Sequence, residues 1–76
     1  MGVMAWKNMS DAPRDGTVIR ARDDRRERSF SARFLTRAML ALLGREGHVA
    51  GWYDCDPFGN ECGYDVIVPT MWFDPD

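Results

Sequence analysis

Two cysteines and one histidine are the residues of this 76-residue chain with the most distinctive chemistry. Cys55 and Cys62 flank a short loop, so they could form a disulfide, or bind zinc with His48 as a third ligand. Zinc sites normally combine two close pairs of ligands, and the sequence offers one pair with wide spacing. We therefore expect two reduced cysteines, no metal and no cofactor. A cysteine nucleophile needs a partnered base, so we also expect no catalysis here.

Acidic residues dominate the second half of the chain. All 10 Lys and Arg lie between Lys7 and Arg45, whereas residues 51–76 carry acidic charges alone, and the net charge of -2 conceals this asymmetry. One hypothesis is an acidic surface that docks on a basic protein partner. Its predicted contact residues are Asp54, Asp56, Glu61 and Asp65. The alternative is that the two halves lie side by side in the fold and neutralise each other.

The arginines predict a different kind of partner, a nucleic acid. An arginine-rich hairpin that contacts phosphates would use Arg20, Arg22, Arg25, Arg26 and Arg33. Acidic side chains at Asp23, Asp24 and Glu27 lie among them, and exposed pairs of opposite charge are common. We therefore rank direct nucleic-acid binding second, behind binding to a protein.

The elements that position these residues begin with a turn. Asp15 and Gly16 predict a chain reversal, since glycine reaches positive φ without a steric penalty. A strand follows over residues 17–22, with Ile19 and Ala21 on one face and the arginines between them on the other.

A second strand and a helix are predicted next. Residues 28–34 alternate between apolar and polar side chains, which completes a hairpin. Residues 36–43 have apolar spacings of three and four, which favour a short helix with Thr36 as N-cap and Gly44 as its end.

The last predicted strands cover residues 49–53 and 64–68. Pro69 interrupts the second of these, so a continuation through residues 70–73 should be kinked or lie at a sheet edge. Together the elements predict an α+β fold, a small antiparallel sheet of three to four strands with one short helix, in a single domain over residues 1–76.

The three tryptophans are spread along the chain at Trp6, Trp52 and Trp72. In so small a domain we expect them to meet in one core that ties both termini to the sheet. The alternative is that one of them is exposed as a binding hot spot, where Trp and Arg are enriched.

Two motifs carry a resemblance to a known family. Residues 6–17 read Trp-x-x-Met-x-x-Ala-Pro-Arg-Asp-Gly-Thr, and the chain closes with Pro-Thr-x-Trp at residues 69–72. Together they are similar to a domain-of-unknown-function family of short phage and prophage proteins, and the resemblance spans nearly the whole chain. Met71 stands where that family usually has a histidine, so no metal or acid-base role of that histidine carries over. The segment Leu35 to Leu43 resembles an insertion.

The resemblance implies a phage or mobile-element setting and transfers no activity. Small proteins in that setting bind and inhibit larger host complexes, and anti-CRISPR proteins are one such class. We predict a non-enzymatic inhibitor of a bacterial defence nucleoprotein that acts in the cytoplasm. The chain has no apolar run near the about 20 residues that cross a bilayer, so we expect no membrane partner. An exposed apolar patch on the Leu35 to Leu43 segment would indicate a homodimer.

Overall fold

One antiparallel sheet organises the molecule. The computed structural model describes residues 5–23 and 28–74. Its elements are β1 (Ala5–Asn8), a 3-10 turn (Met9–Asp11), β2 (Ile19–Arg22), β3 (Phe30–Leu35), α1 (Arg37–Leu42), β4 (Gly51–Asp54) and β5 (Met71–Asp74). The strand order is β1-β5-β2-β3-β4. The predicted antiparallel sheet with one short helix is confirmed, but it contains five strands rather than three to four.

The predicted reversal before β2 is confirmed. Gly16 has a φ of 91°, and the Asp15 carboxylate accepts hydrogen bonds from the Thr17 amide (3.0 Å) and hydroxyl (2.6 Å). Because Thr17 is held in this turn, β2 begins at Ile19 rather than at residue 17. Along β2, Ile19 and Ala21 are buried and the two arginines are exposed, as the alternation predicts.

The helix also follows its local signals. Thr36 is the N-cap, and its hydroxyl accepts a hydrogen bond from the Met39 amide at 3.2 Å. Leu43 is the C-cap, and Gly44 follows it with a φ of 73°, the left-handed conformation that ends many helices. Phe34 lies outside this helix, because β3 continues to Leu35.

The placement of the terminal strands was not predicted. The first strand predicted from the sequence was the one over residues 17–22, yet β1 forms before it and pairs with β5. The expectation that a strand after Pro69 would be kinked or lie at an edge is wrong, since β5 starts beyond the proline and lies between β1 and β2. The Thr70 amide donates to the Arg22 carbonyl at 2.9 Å, which brings the chain into the sheet just before β5.

The predicted strand over residues 64–68 is also wrong. This segment passes the outer edge of β4 and makes one isolated bridge there, in which the Ile67 amide donates to the Trp52 carbonyl at 2.9 Å. Tyr64, Val66 and Val68 are exposed. High β propensity did not produce a strand, because propensity reflects packing on a half-buried surface and this segment lies largely outside the sheet.

The sheet has a core on each face. The larger cluster, on what we call the core face, consists of Ala12, Ile19, Ala21, Ala32, Trp52 and Trp72. On the opposite face, which we call the helix face, Leu35 and Tyr53 pack against Leu40 of α1. Trp6 is paired with Phe73, next to Trp72 in β5, so its side chain belongs to the helix face. The expectation of one core with three tryptophans is therefore wrong for Trp6.

Candidate binding surfaces

Aromatic and basic side chains share the part of the helix face that lies over β1, β5 and β2. α1 packs on β3, to one side of this area. Trp6, Phe73 and Arg20 are direct cross-strand neighbours in one row. Arg22 lies in the next row, opposite Met71. We call Trp6, Phe73, Arg20 and Arg22 the arginine–aromatic face.

Contacts within the arginine–aromatic face fix its side chains. The rings of Trp6 and Phe73 meet edge to face, with centroids 5.4 Å apart and an interplanar angle of 63°. The Arg22 guanidinium lies 5.2 Å from the Trp6 ring centroid, within cation–π range. Arg20 donates to the Ser29 hydroxyl at 2.8 Å. Trp6 and Phe73 are half-buried and Arg20 and Arg22 are exposed, so all four residues keep solvent-accessible surface.

Arg33 has a different role from Arg20 and Arg22, although the three side chains share a face as predicted. It is half-buried, and its Nη1 donates to the Gly59 carbonyl at 2.7 Å. The structure therefore places Arg33 beneath the loop after β4, as a support for that loop. Arg25 and Arg26, the other predicted nucleic-acid contacts, lie outside the described residues.

The basic and acidic halves of the chain are interleaved in the fold. Arg45 donates to the carbonyls of Cys62 (2.7 Å) and Gly63 (2.6 Å), and its guanidinium lies 4.3 Å from the Tyr64 ring centroid. Lys7 of β1 forms an ion pair with Asp74 of the neighbouring strand β5. Basic residues of the first half thus bind the second half, the arginines through backbone carbonyls and Lys7 through a carboxylate.

The four predicted acidic contacts fall into different environments. Asp54 and Glu61 line one recess of about 250 Å³ beside the cysteines. Asp65 lines a separate depression with His48 and Tyr53. The Asp56 carboxylate accepts hydrogen bonds from the amides of Asn60 (2.6 Å) and Glu61 (3.2 Å), so it staples its own loop.

The cysteines face each other across a short β-bridge, and both are half-buried thiols. Burial, together with the neighbouring Cys62, raises the pKa of Cys55 to about 11. His48 lines depressions that neither cysteine lines. Over residues 5–23 and 28–74, no group of three or more His, Cys, Asp or Glu side chains is placed to hold a metal ion.

The helix segment exposes apolar side chains at its end. Leu35 and Leu40 are buried, whereas Leu42 is 88% and Leu43 is 49% exposed. Leu42 and Leu43 are thus the exposed large apolar side chains of this segment, and the homodimer stays a prediction.

The sequence analysis did not single out Phe73, and it named Trp6 only as one of three tryptophans that could be an exposed hot spot. The alternation of side chains along β5 could have suggested Phe73. Because Trp72 points into the core, the next residue, Phe73, must point to the opposite face of the sheet. No local sequence pattern indicated that β1 and β5 pair. The sequence therefore did not predict that Trp6 lies close to Arg20 and Arg22.

Comparison of the chain with models of protein families, with curated proteins and with solved structures found no match. No helix within the described residues is long and apolar enough to span a membrane.

Proposed function

We propose that this protein is a non-catalytic binding module that holds single-stranded nucleic acid on the arginine–aromatic face. The observation that carries the proposal is the row of Trp6, Phe73 and Arg20 across three adjacent strands, with Arg22 against the Trp6 ring. Proteins that bind single strands combine aromatic rings, on which bases stack, with basic groups along the backbone.

The aromatic pair supplies the stacking part of such a site. Trp6 and Phe73 lie on neighbouring strands, and both residues are half-buried rather than buried. Stacking of a base on an aromatic side chain contributes about 1–3 kcal/mol, and it tolerates any sequence because every base has a π face. The pair provides a platform for one base, since the Arg22 guanidinium already lies over the Trp6 ring.

The two arginines supply the charge. Arg20 uses one of its five N–H groups on Ser29, which leaves other donors for a phosphate. Arg22 stacks on Trp6 while its charge stays at the surface. The ion pair of Lys7 and Asp74 lies on the core face, since Lys7 is paired with Trp72. These positions favour an anionic ligand on the arginine–aromatic face despite the acidic composition of the whole chain.

The test is a binding titration with fluorescently labelled oligothymidine of about 16 nucleotides, the upper end of typical site sizes. With two phosphate contacts, log K should fall with log salt with a slope of about -1.4, because each contact on a single strand contributes about -0.7. Arg20→Gln and Arg22→Gln should each weaken binding and reduce the slope by about 0.7.

Arg14→Gln is the matched control. Arg14 is also exposed and stacks on an aromatic ring, with its guanidinium 5.5 Å from the Phe34 centroid, but Phe34 belongs to the core face. Arg14→Gln removes the same charge and should leave the slope unchanged. Absence of binding by the native chain at low salt, or an equal effect of Arg14→Gln, would refute the proposal.

A second candidate is the acidic docking surface of a phage-type inhibitor acting in the bacterial cytoplasm. The observation that favours it is the common recess of Asp54 and Glu61. Glu61→Lys is the informative variant because Glu61 is exposed, whereas Asp56 holds the loop together. Expression of the native chain should restore phage plating on a CRISPR-defended host and Glu61→Lys should abolish that effect. Unchanged plating with the native chain would remove this candidate.

A further inference from the structure

Cys55 and Cys62 occupy a special position in the antiparallel ladder. Two backbone hydrogen bonds flank the pair, from Gly63 N to Asp54 O (2.8 Å) and from Asp56 N to Glu61 O (3.0 Å). The cysteines themselves therefore form a non-hydrogen-bonded pair, in which opposed Cα atoms lie about 4.5 Å apart. Disulfides join Cα atoms about 4.4–6.8 Å apart, so the backbone already meets this requirement.

The pair is also accessible. Both cysteines line the recess of about 250 Å³, and Cys62 lines a second depression of about 370 Å³ with Arg45 and Tyr64. Directly opposed residues of an antiparallel pair project to the same side of the ladder, so the two thiols share a side. A small reagent entering the recess meets both of them.

We propose that Cys55 and Cys62 form a reversible disulfide site that reacts with low-molecular-weight disulfides such as oxidised glutathione. The Cys62 thiolate attacks one sulfur of the reagent, its S–S bond breaks, and the first thiolate leaves. Cys55, after losing its proton, attacks the Cys62 sulfur and displaces the second thiolate, which takes up a proton. Two cysteine sulfurs are oxidised and the two sulfurs of the reagent are reduced.

The order of attack follows first from access, because Cys62 lines both of these depressions, whereas Cys55 lines the recess of about 250 Å³. The raised pKa of Cys55 keeps it protonated at neutral pH, and burial is the main cause. The second cause is the charge of Cys62, which disappears once Cys62 is in the mixed disulfide. Reaction at Cys62 therefore removes one cause of the raised pKa of Cys55, while burial, the larger cause, remains.

The resulting bond would close a loop that is already ordered. The Asp56 carboxylate accepts hydrogen bonds from the amides of residues 60 and 61, and Arg33 donates a hydrogen bond to the Gly59 carbonyl. The folded chain therefore presents the two thiols to each other before any bond forms, which raises their effective concentration.

The experiment equilibrates the intact chain at neutral pH in glutathione buffers of increasing oxidised fraction, followed by acid quenching and intact mass spectrometry. The expected product is a monomer about 2 Da lighter than the dithiol, without a populated glutathione adduct. In urea the two cysteines are no longer held opposite each other. Formation of the disulfide in half of the molecules should then need a ratio of oxidised to reduced glutathione at least about 10-fold higher than for the folded chain. A stable glutathione adduct on the native chain, or equal ratios in the two states, would overturn the proposal.

Single variants test the order of attack. Cys55→Ser should accumulate one glutathione adduct at Cys62, whereas Cys62→Ser should react more slowly, because the remaining thiol is protonated and half-buried. Equal rates for the two variants would contradict the assigned order. Circular dichroism of both variants, matched to that of the native chain, ensures that folding does not differ.

Discussion

Replacement of Gly59 by alanine tests the packing of the loop that carries the acidic recess. Gly59 is buried and has a φ of 76°, and its carbonyl oxygen accepts a hydrogen bond from Arg33 Nη1. A Cβ atom there would lie 2.6 Å from Val18 Cγ2 and 3.7 Å from Arg33 Nη1. The variant is thus strained both by its backbone conformation and by a clash.

The two contributions can be estimated separately. A left-handed conformation costs an L-residue about 1–2 kcal/mol, and forcing an extra carbon into a packed site costs about 1–3 kcal/mol. Gly59→Ala should therefore lower the free energy of unfolding by about 2–5 kcal/mol. Folded proteins have a free energy of unfolding of about 0.05–0.15 kcal/mol per residue, which gives about 4–11 kcal/mol for the whole domain.

Gly44→Ala provides the matched control. Gly44 has a φ of 73°, close to that of Gly59, but nothing lies within 4 Å of its added Cβ. The same chemical change also restricts the unfolded chain equally in both variants, so that effect cancels in the difference. Urea unfolding of both variants should give a difference of about 1–3 kcal/mol, which reports the clash with Val18 alone. Equal losses of stability would refute the packing of this loop on Val18, which directly precedes β2.

The remaining predictions concern the helix and the first turn. Leu40→Ala should cost about 2–5 kcal/mol in urea unfolding because Leu40 is 1% exposed, whereas Leu42→Ala, at a site 88% exposed, should change stability by less than about 0.5 kcal/mol; similar losses would contradict the orientation of α1. The Thr17 hydroxyl, with the Thr17 amide, holds the pKa of Asp15 below its ordinary value. The ionised Asp15 carboxylate therefore stabilises the turn at pH values above the pKa of Asp15 in the unfolded chain. This stabilisation is lost as the pH falls through the lower pKa of Asp15 in the folded chain. In an NMR titration, Thr17→Val should raise the Asp15 midpoint, and an unchanged midpoint would exclude the hydroxyl as the main cause.

Much of the local structure could be predicted from sequence. Thr36 and Gly44 bound the helix, and Gly16 takes positive φ in the first turn. These signals act through hydrogen bonds and steric contacts within a few residues, so they need no knowledge of the rest of the chain. The inward alternation of Ile19 and Ala21 is equally local.

Strand pairing could not be predicted in the same way. The segment around Val66 has the highest β propensity but remains outside the named strands, whereas β1 forms because β5 pairs with it. The partner of a strand is set by long-range contacts, and propensity alone does not specify it.

The candidate surfaces also combine features that the local sequence determines with features that depend on strand pairing. The sequence by itself determined that Arg20 and Arg22 share a face and that Cys55 and Cys62 bracket a loop, because both follow from spacing along one segment. Tertiary structure alone decided that Trp6 and Phe73 join those arginines, and that the cysteines meet as a non-hydrogen-bonded pair. The physical reason is sheet register, since pairing between distant segments selects which side chains become neighbours.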